Sequence, residues 1–256
     1  MEKTALTTFS KNQIDNGIYD NYGDKWYTAD DDPIALLRHE SKAKLPWVLD
    51  KIKLHFAHPE TTTILDVGCG GGFLSNALGS HNYKVTGVDM SVESLNVAKR
   101  HDDTKTVTYL EADAYKLPFE NESFDVVTAM DFLEHVEHPD QVVKEISRIL
   151  KPKGIFIFHT FNRNILAYIV VIKFVEWFIK NSPKNIHLLR MFIKPAELQN
   201  YCLLNQIVVK DMTGIKPVFS TIPIKNFFTG LVPESMKFEL TKSLLLSYMG
   251  YGVKQN

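Results

Sequence analysis

The sequence predicts an α/β protein built around one largely parallel sheet. From residue 62 onward, short apolar runs alternate with segments whose apolar residues recur at helical spacing. The apolar runs are residues 64–67, 85–88, 107–110, 124–129 and 155–158, and the helical segments between them are 73–78, 92–100 and 139–150. Such alternation is typical of a sheet covered by helices on both faces, and a glycine-dense turn directly after the first strand supports it.

Composition excludes several classes of protein. A chain of 256 residues has room for one α/β domain, and 45% hydrophobic with 23% charged residues is typical of a globular protein. Twenty-nine basic residues against thirty acidic ones give no overall basic character, so we expect no nucleic-acid partner. Two cysteines, Cys69 and Cys202, form no disulfide framework and favour a reducing compartment.

No targeting or membrane-spanning segment is expected. Residues 1–20 have neither the apolar core of a signal peptide nor the arginines of a transit peptide. The longest apolar stretch, 165–179, is interrupted by Lys173 and Glu176 and is shorter than the ~20 residues that span a bilayer. The prediction is a cytoplasmic protein.

We interpret residues 1–256 as a single domain with four parts. They are an N-terminal helical extension (1–60), a cofactor-binding core (61–160), an apolar lid or membrane-facing insertion (161–195) and a C-terminal part that completes the sheet (196–256). The extension contains a helix from Pro33 onward, and the last part contains a helix from 196 to 202, a strand at 207–209 and a final edge strand at 248–253.

The glycine-dense turn indicates a bound ligand. Gly68, Gly70, Gly71 and Gly72 follow the first strand and let the backbone approach a ligand closely. A dinucleotide loop would need its third glycine where Phe73 stands. Asp66, at the end of the strand, would repel a pyrophosphate and attract an ammonium group, so a nicotinamide oxidoreductase is disfavoured.

Further acids follow the next two strands. Asp89 lies about 20 residues after the loop, where a carboxylate accepts both hydroxyls of a ribose. Asp113 follows the third strand, where it can accept from an adenine amine or serve only as a surface turn residue. We expect their neighbours Met90 and Ala114 to flank the nucleoside. An adenosine with an amino-acid cation satisfies these acids, which points to S-adenosylmethionine.

Several segments outside the loop are more specific. These are VVTAMDFLEHV (126–136), HTFNRN (159–164), PK (183–184), His187 and FIKPAEL (192–198). Together with the loop, they resemble the ubiquinone-biosynthesis O-methyltransferase family of class I S-adenosylmethionine-dependent methyltransferases, over residues 20 to 254. The resemblance implies a Rossmann-like, seven-stranded class I methyltransferase sheet.

The resemblance also implies a set of cofactor contacts. Gly68, Asp89 and the backbone at Met130 would hold the cofactor. In the family an arginine on the helix before the first strand also binds the cofactor, and Lys44 aligns with it. Lysine keeps the positive charge but loses the bidentate fork of arginine.

Asp131, Glu134 and His135 are the candidate catalytic residues. A phenol is mostly protonated at pH 7 and needs a base or a Lewis acid to expose its oxygen. If residues 131–135 form a helical turn, the three side chains share one face and could hold a divalent cation against a catechol. The resemblance implies such a site for Mg²⁺ or Zn²⁺, with Asp131 where the family has glutamate. Alternatively, His135 is a general base or caps the helix that begins at Pro139.

Three other histidines have weaker assignments. His138 is interpreted as a loop residue. His159 ends the fifth strand and is either structural or catalytic. His187 matches a family histidine, but Ile186 and Leu188 replace its usual neighbours, so no role is assigned to it.

The apolar stretch 165–179 has three interpretations. Lys173, Glu176 and Lys180 form one polar stripe on an otherwise apolar helix. The helix could lie on an anionic membrane with its lysines and Lys184 near the head groups, cover the active site as a lid, or be buried in the core. Family substrates carry polyprenyl tails, so the first two interpretations are compatible, and the first implies peripheral membrane association.

The leading hypothesis is an O-methyltransferase that acts on phenolic or catecholic polyprenyl intermediates of ubiquinone biosynthesis. One alternative is a related methyltransferase acting on another lipid or small molecule. Another is a catalytically silent, cofactor-binding member of a biosynthetic complex.

Overall fold

A computed structural model describes residues 16–184 and 186–256, so the expectations for residues 1–15 lie outside the described part. The structure is an α/β fold with one mixed sheet. Its helices are α1 (Lys25–Thr28), α2 (Pro33–His55), α3 (Phe73–Ser80), α4 (Val92–Arg100), α5 (Pro139–Ile149), α6 (Ile165–Ala167), α7 (Val175–Phe178), α8 (Pro195–Leu204) and α9 (Asn226–Thr229). Short 3₁₀ turns cover Asn16–Asn21, Leu133–His135, Leu189–Met191 and Phe219–Thr221.

The sheet confirms the predicted α/β architecture and adds one strand. Its strands are β1 (Thr63–Val67), β2 (Lys84–Asp89), β3 (Thr108–Glu111), β4 (Phe124–Met130), β5 (Leu150–Phe161), β6 (Ile207–Pro217), β7 (Phe238–Thr241) and β8 (Ser247–Lys254). Their spatial order is β3-β2-β1-β4-β5-β8-β6-β7. Strands β1 to β5 pair in parallel, whereas β8 and β6 are antiparallel to their neighbours. Seven strands were expected, and β7 is the eighth.

The C-terminal strand lies inside the sheet. We expected residues 248–253 at an edge, but β8 pairs with β5 on one side and with β6 on the other. The short strand β7 occupies the edge instead, paired only with β6. Tyr248 is fully buried and packs against Phe158 of β5. Because β8 is hydrogen-bonded on both sides and carries this core residue, an edge position was the wrong prediction.

The central strands are buried on both faces, as parallel strands covered by helices must be. In β5, every side chain from Ile155 to Thr160 is buried. In β1, the side chains from Ile64 to Val67 are buried. The glycine turn follows directly after this buried strand.

Helix α2 begins where the sequence predicts and brings polar side chains into the interior. Asp32 caps it by accepting a hydrogen bond from the Ile34 amide at 3.0 Å, and Pro33 takes the first helical position. The helix buries Glu40 and Lys44 toward the sheet. This burial matters for the site described below.

The apolar insertion is helical, and it covers the carboxyl end of the sheet. Between α6 and α7 lies a seven-residue π-helix, Tyr168–Phe174. The insertion packs on residues 219–236, with ring contacts that join Phe174 to Phe219 and Phe178 to Phe227. No helix among residues 16–184 and 186–256 is both long and apolar enough to cross a membrane.

Candidate functional site

The glycine turn is covered by an aromatic side chain from the N-terminal extension. Gly70 has a φ of +50°, and a Cβ on Gly70 or on Gly71 would lie 2.6 Å from the ring of Trp26. The Tyr27 hydroxyl donates to the Gly71 carbonyl at 2.9 Å. Glycine is therefore required here both for backbone conformation and for the close approach of α1.

Below this cover lies a cavity of about 460 Å³, which we call the loop cavity. It lies at the carboxyl ends of the parallel strands, where open α/β sheets bind ligands. The predicted cofactor residues in its wall are Asp66, Gly68, Gly70, Asp89, Met90, Asp113, Ala114 and Met130. Among the described residues that line it, several are acids and none is lysine or arginine. The wall therefore suits a cationic ligand without phosphate groups.

Asp66 is buried beneath the loop. Its carboxylate accepts hydrogen bonds from the Ser75 hydroxyl at 2.6 Å and from the Thr128 hydroxyl at 2.7 Å. Burial raises the pKa of Asp66 to about 6, although both hydrogen bonds act in the opposite direction. An ammonium group in the cavity would favour the ionised carboxylate.

Asp89 and Asp113 occupy the ends of neighbouring strands but differ in exposure. Asp89 accepts backbone hydrogen bonds from Gly70 and Ser91, each at 2.9 Å, and burial raises its pKa. These bonds connect the acid directly to the glycine turn. Asp113 is exposed and accepts from the amide of Tyr115 at 2.9 Å.

Lys44 does not line the loop cavity. Its Nζ lies 2.6 and 2.7 Å from the two carboxylate oxygens of Asp131, 3.0 Å from Nδ1 of His159 and 3.5 Å from Glu40. Lys44 is only 2% exposed. The structure thus places Lys44 in a buried ionic cluster outside the wall of the loop cavity, and its contact with a cofactor carboxylate stays a prediction.

The helical turn that was predicted to put Asp131, Glu134 and His135 on one face is not present. Asp131 has a φ of +56°, so the chain makes a sharp bend before the 3₁₀ turn and residues 131–135 are not one helical turn. Burial opposes its charge, but Lys44 and His159 outweigh this effect and hold the pKa of Asp131 below its usual range. Its carboxylate is directed to that cluster, where Lys44 already supplies the cation.

Glu134 and His135 instead approach His187. One candidate ligand atom from each of these three side chains lies within 4.8 Å of the others. Thr160 donates to one oxygen of Glu134 at 2.8 Å, and the other oxygen has no partner. Burial, with Asp131 nearby, raises the pKa of Glu134 to about 8.

Burial also keeps two imidazoles neutral. It lowers the pKa of His135 to about 4 and that of His187 to about 3, and Nδ1 of each ring has no hydrogen-bond partner. His135 does not cap the following helix, because His138 occupies the N-cap position of α5, without a side-chain capping bond. His159 is fully buried in the Lys44 cluster and contacts neither cavity.

A second cavity, which we call the apolar cavity, measures about 160 Å³ and lies beneath the insertion. Val171, Phe174 and Phe178 form part of its roof, and the 219–236 segment forms part of its wall. It shares Tyr19, Leu37, Asp131 and His135 with the loop cavity. The two cavities therefore adjoin at these four residues, which we call the junction.

Several site residues were not identified from the sequence. Tyr19 stacks on Trp26 and contacts the ring of His135 edge-on, so it closes the junction from the N-terminal side. The sequence feature that could have indicated a role for Tyr19 is the presence of aromatic residues in an otherwise polar extension. Thr128 and Thr160, which hold the two buried acids, gave no signal beyond their places in predicted strands or directly after them.

Comparisons with known proteins agree with this geometry. A family model described as a methyltransferase domain matches residues 65–158. A protein named ubiquinone biosynthesis O-methyltransferase from Coxiella burnetii is 33% identical over 214 residues, which cover 81% of this chain and 86% of the relative. Its namesake from Actinobacillus pleuropneumoniae is 39% identical over 161 residues, 59% of this chain and 68% of the relative.

A solved structure supports the same fold. Magnesium protoporphyrin IX methyltransferase from Synechocystis, determined with bound SAH, superposes with a TM-score of 0.58 at 16% identity and covers 86% of this chain and 84% of its own. The loop cavity and its acids, the shared fold and the extent of the Coxiella match lead to one conclusion. This chain belongs to the ubiquinone biosynthesis O-methyltransferase family and is an S-adenosylmethionine-dependent methyltransferase.

Proposed function

We propose that the chain methylates a phenolic oxygen of an aromatic substrate that carries a polyprenyl tail, the type of intermediate that ubiquinone biosynthesis requires. The observation that carries this proposal is the junction of the two cavities. An acidic cavity suited to the cofactor and an apolar cavity suited to a hydrocarbon meet at Tyr19, Leu37, Asp131 and His135. The methyl group and the accepting oxygen would come together there.

The loop cavity has the donor and acceptor set that S-adenosylmethionine needs. Asp89, at the end of β2, is placed to accept ribose hydroxyls, and Asp66 offers a negative charge to the ammonium group. When bound, the cofactor supplies an electrophilic methyl group on a sulfonium. The Asp131 carboxylate is already paired with Lys44 and His159, so the acids that offer charge to the cofactor are Asp66 and Asp89.

The chemistry at the junction depends on His135. A phenol must lose its proton as the methyl group is transferred, and the enzyme contributes mainly by holding the reactants in line. The His135 ring lines both cavities, is neutral and has an unpartnered Nδ1. It is therefore the side chain that we expect at the accepting oxygen.

The size of the apolar cavity limits what enters without movement. At about 160 Å³ it is comparable to an engineered cavity that binds benzene, so it accommodates an aromatic ring but not a long tail. The insertion forms the roof, and it would have to move outward as a tail enters. We therefore assign the insertion as a lid.

The outer surface of the lid is suited to contact with a membrane. Ile165, Leu166, Ile169 and Trp177 are between 45% and 75% exposed on its outer side. Ile224 and Phe228, in the segment packed against the lid, are 78% and 86% exposed. Lys180, Lys184 and Lys225 are exposed in the same two segments, as expected for a surface that binds anionic lipids. A membrane-bound substrate would then reach the lid directly.

The test compares catechols with and without short prenyl tails as acceptors of the methyl group. We expect kcat/KM to rise with the first one or two isoprene units, because the tail displaces the lid and fills the apolar cavity. Val171→Trp should lower this gain because Val171 lines that cavity, whereas Ile169→Trp, on the exposed side, should not. Equal activity on tailed and untailed acceptors would favour the alternative, a methyltransferase of other small molecules.

A further inference from the structure

We propose that the aromatic ring of Tyr19 recognises the positive charge of the cofactor sulfonium through a cation–π contact at the junction. Tyr19 would thereby distinguish S-adenosylmethionine from S-adenosylhomocysteine, which has lost the methyl group and its charge. The inference rests on the proposed function only in taking the junction as the place of methyl transfer. Binding of the two compounds can be measured without any acceptor.

The first argument is that Tyr19 can attract a cation where the two cavities adjoin. Four described residues line both cavities: Tyr19, Leu37, Asp131 and His135. The leucine is apolar, and the aspartate is already paired with Lys44 and His159. Burial lowers the pKa of His135 to about 4, so that ring is neutral at pH 7. The remaining side chain, the tyrosine, offers the negative face of its π system, which attracts a cation.

The second argument is that neighbouring residues already hold the Tyr19 ring in place. The ring stacks on Trp26 with centroids 5.8 Å apart, and it meets the ring of His135 edge-on at 5.8 Å. Tyr22 makes a third ring contact, also at 5.8 Å. The backbone carbonyl of Tyr19 accepts a hydrogen bond from the Ser94 hydroxyl at 3.3 Å, which connects this turn to α4. A ring held in this way loses little conformational freedom when a ligand binds.

The third argument concerns the charges around the ring. Burial raises the pKa of Tyr19, and nearby carboxylates, Asp89 among them, act in the same direction. The hydroxyl is therefore protonated at pH 7. The sulfonium is bonded to the 5′ carbon of the ribose, so a ribose held at Asp89 would bring the charge close to this ring. The adjoining apolar cavity offers few water-accessible polar groups, and a cation–π contact is stronger where water is excluded.

Such a contact would favour exchange of product for cofactor. Methyl transfer breaks the bond from carbon to sulfur, whose electron pair stays on the sulfur, and forms the bond to the phenolic oxygen as the phenol loses its proton. The sulfur is then neutral. Tyr19 would therefore hold the cofactor more tightly than the product, which would leave the loop cavity more readily.

The experiment measures the affinities of the full chain for S-adenosylmethionine and for S-adenosylhomocysteine by calorimetry and compares their ratio among variants. Tyr19→Leu should lower the preference for S-adenosylmethionine by about 5- to 30-fold, the range of a cation–π contact that is shielded from water. Tyr19→Phe keeps the ring and should stay within about 2-fold of the wild-type ratio. Tyr115→Leu removes another tyrosine from the wall of the loop cavity and, as the matched control, should leave the ratio unchanged.

A fluorinated ring separates recognition of charge from packing. Pentafluorophenylalanine in place of Tyr19 keeps the shape of the ring but reverses its charge distribution. The ratio should therefore fall as it does in Tyr19→Leu, while the affinity for S-adenosylhomocysteine stays near that of Tyr19→Phe. An unchanged ratio in Tyr19→Leu, or an equal weakening of both compounds, would overturn the proposal. A wild-type ratio in the fluorinated variant would overturn it as well.

The role of Tyr19 and the proposed function can fail separately. A ratio that depends on the Tyr19 ring, without methylation of any tailed phenol, would count against the proposed function alone. Methylation of tailed phenols together with a ratio that does not depend on the ring would overturn the role of Tyr19 alone.

Discussion

Asp66 is a buried acid whose ionisation lowers the stability of the ligand-free fold. Its pKa of about 6 lies above the ordinary value of 3.8, so ionising it costs more in the folded chain than in the unfolded chain. The cost is absent below about pH 4 and complete above about pH 6. A cationic ligand in the loop cavity would compensate for it.

We therefore predict that Asp66→Asn stabilises the ligand-free protein at pH 8 by about 3 kcal/mol and has little effect near pH 4. The measurement is urea unfolding of both proteins across this range. The same variant should bind S-adenosylhomocysteine more weakly than wild type. A stability difference that does not depend on pH would show that Asp66 is not the titrating group.

Asp89 provides the second prediction at this scale. Asp89→Ala should weaken S-adenosylhomocysteine binding by about 1.5 to 3 kcal/mol, about 10- to 150-fold, because hydrogen bonds to a charged acceptor are lost. Calorimetric titration measures it. Glu111→Ala, at the exposed end of the neighbouring strand, is the matched control and should bind normally. Unchanged affinity in Asp89→Ala would assign the ribose contact to another residue.

At the scale of elements, the N-terminal extension is part of the site because α1 covers the glycine turn. Gly71→Ala would place a Cβ 2.6 Å from the Trp26 ring, and we predict a loss of about 1 to 3 kcal/mol in the free energy of unfolding. In a Trp26→Ala background the same substitution should cost almost nothing, since the ring is absent. An equal cost in both backgrounds would mean that α1 does not press on the turn.

The lid gives a prediction about membranes. Trp177→Glu combined with Phe228→Glu should abolish co-sedimentation with anionic vesicles, because both side chains are exposed on adjoining segments. Leu203→Glu with Leu204→Glu, two exposed leucines at the end of α8, makes the same change in charge elsewhere and should have no effect. Phe174 is less suitable as a test because it lines the apolar cavity. Equal sedimentation of the Trp177/Phe228 double variant and wild type would exclude membrane binding by this surface. The insertion would then act as a lid alone.

Elements were predictable where the local pattern decides the structure. The alternation of apolar runs and helical segments predicted β1 to β5 and the helices between them, and Pro33 marked the start of α2. The interior position of β8 was not predictable. The sequence of this strand does not indicate that β6 pairs with its second side. The edge strand β7 is largely exposed and short, and no apolar pattern identifies it.

At the scale of the whole molecule, some residues of the site were predictable from local sequence and others were not. Asp66 and Asp89 were predicted from their places beside the glycine turn and about 20 residues after it, and both line the loop cavity. The separation of Asp131 from Glu134 was not predictable, since it depends on a positive φ and on Lys44, which is 87 residues away in the sequence. The approach of His187 to His135 depends on how the lid folds back, which spacing along the chain does not encode.

An acidic cavity and an apolar cavity adjoin at one junction in this molecule, and we propose that a methyl group passes there to a phenolic oxygen. The most direct test supplies S-adenosylmethionine labelled with ¹³C in the methyl group together with a prenylated catechol, and records the carbon spectrum of the product. We predict a single new methoxy resonance that requires the intact chain and decreases strongly in His135→Ala. Label on ring carbon or nitrogen, or no transfer despite tight S-adenosylhomocysteine binding, would contradict the account.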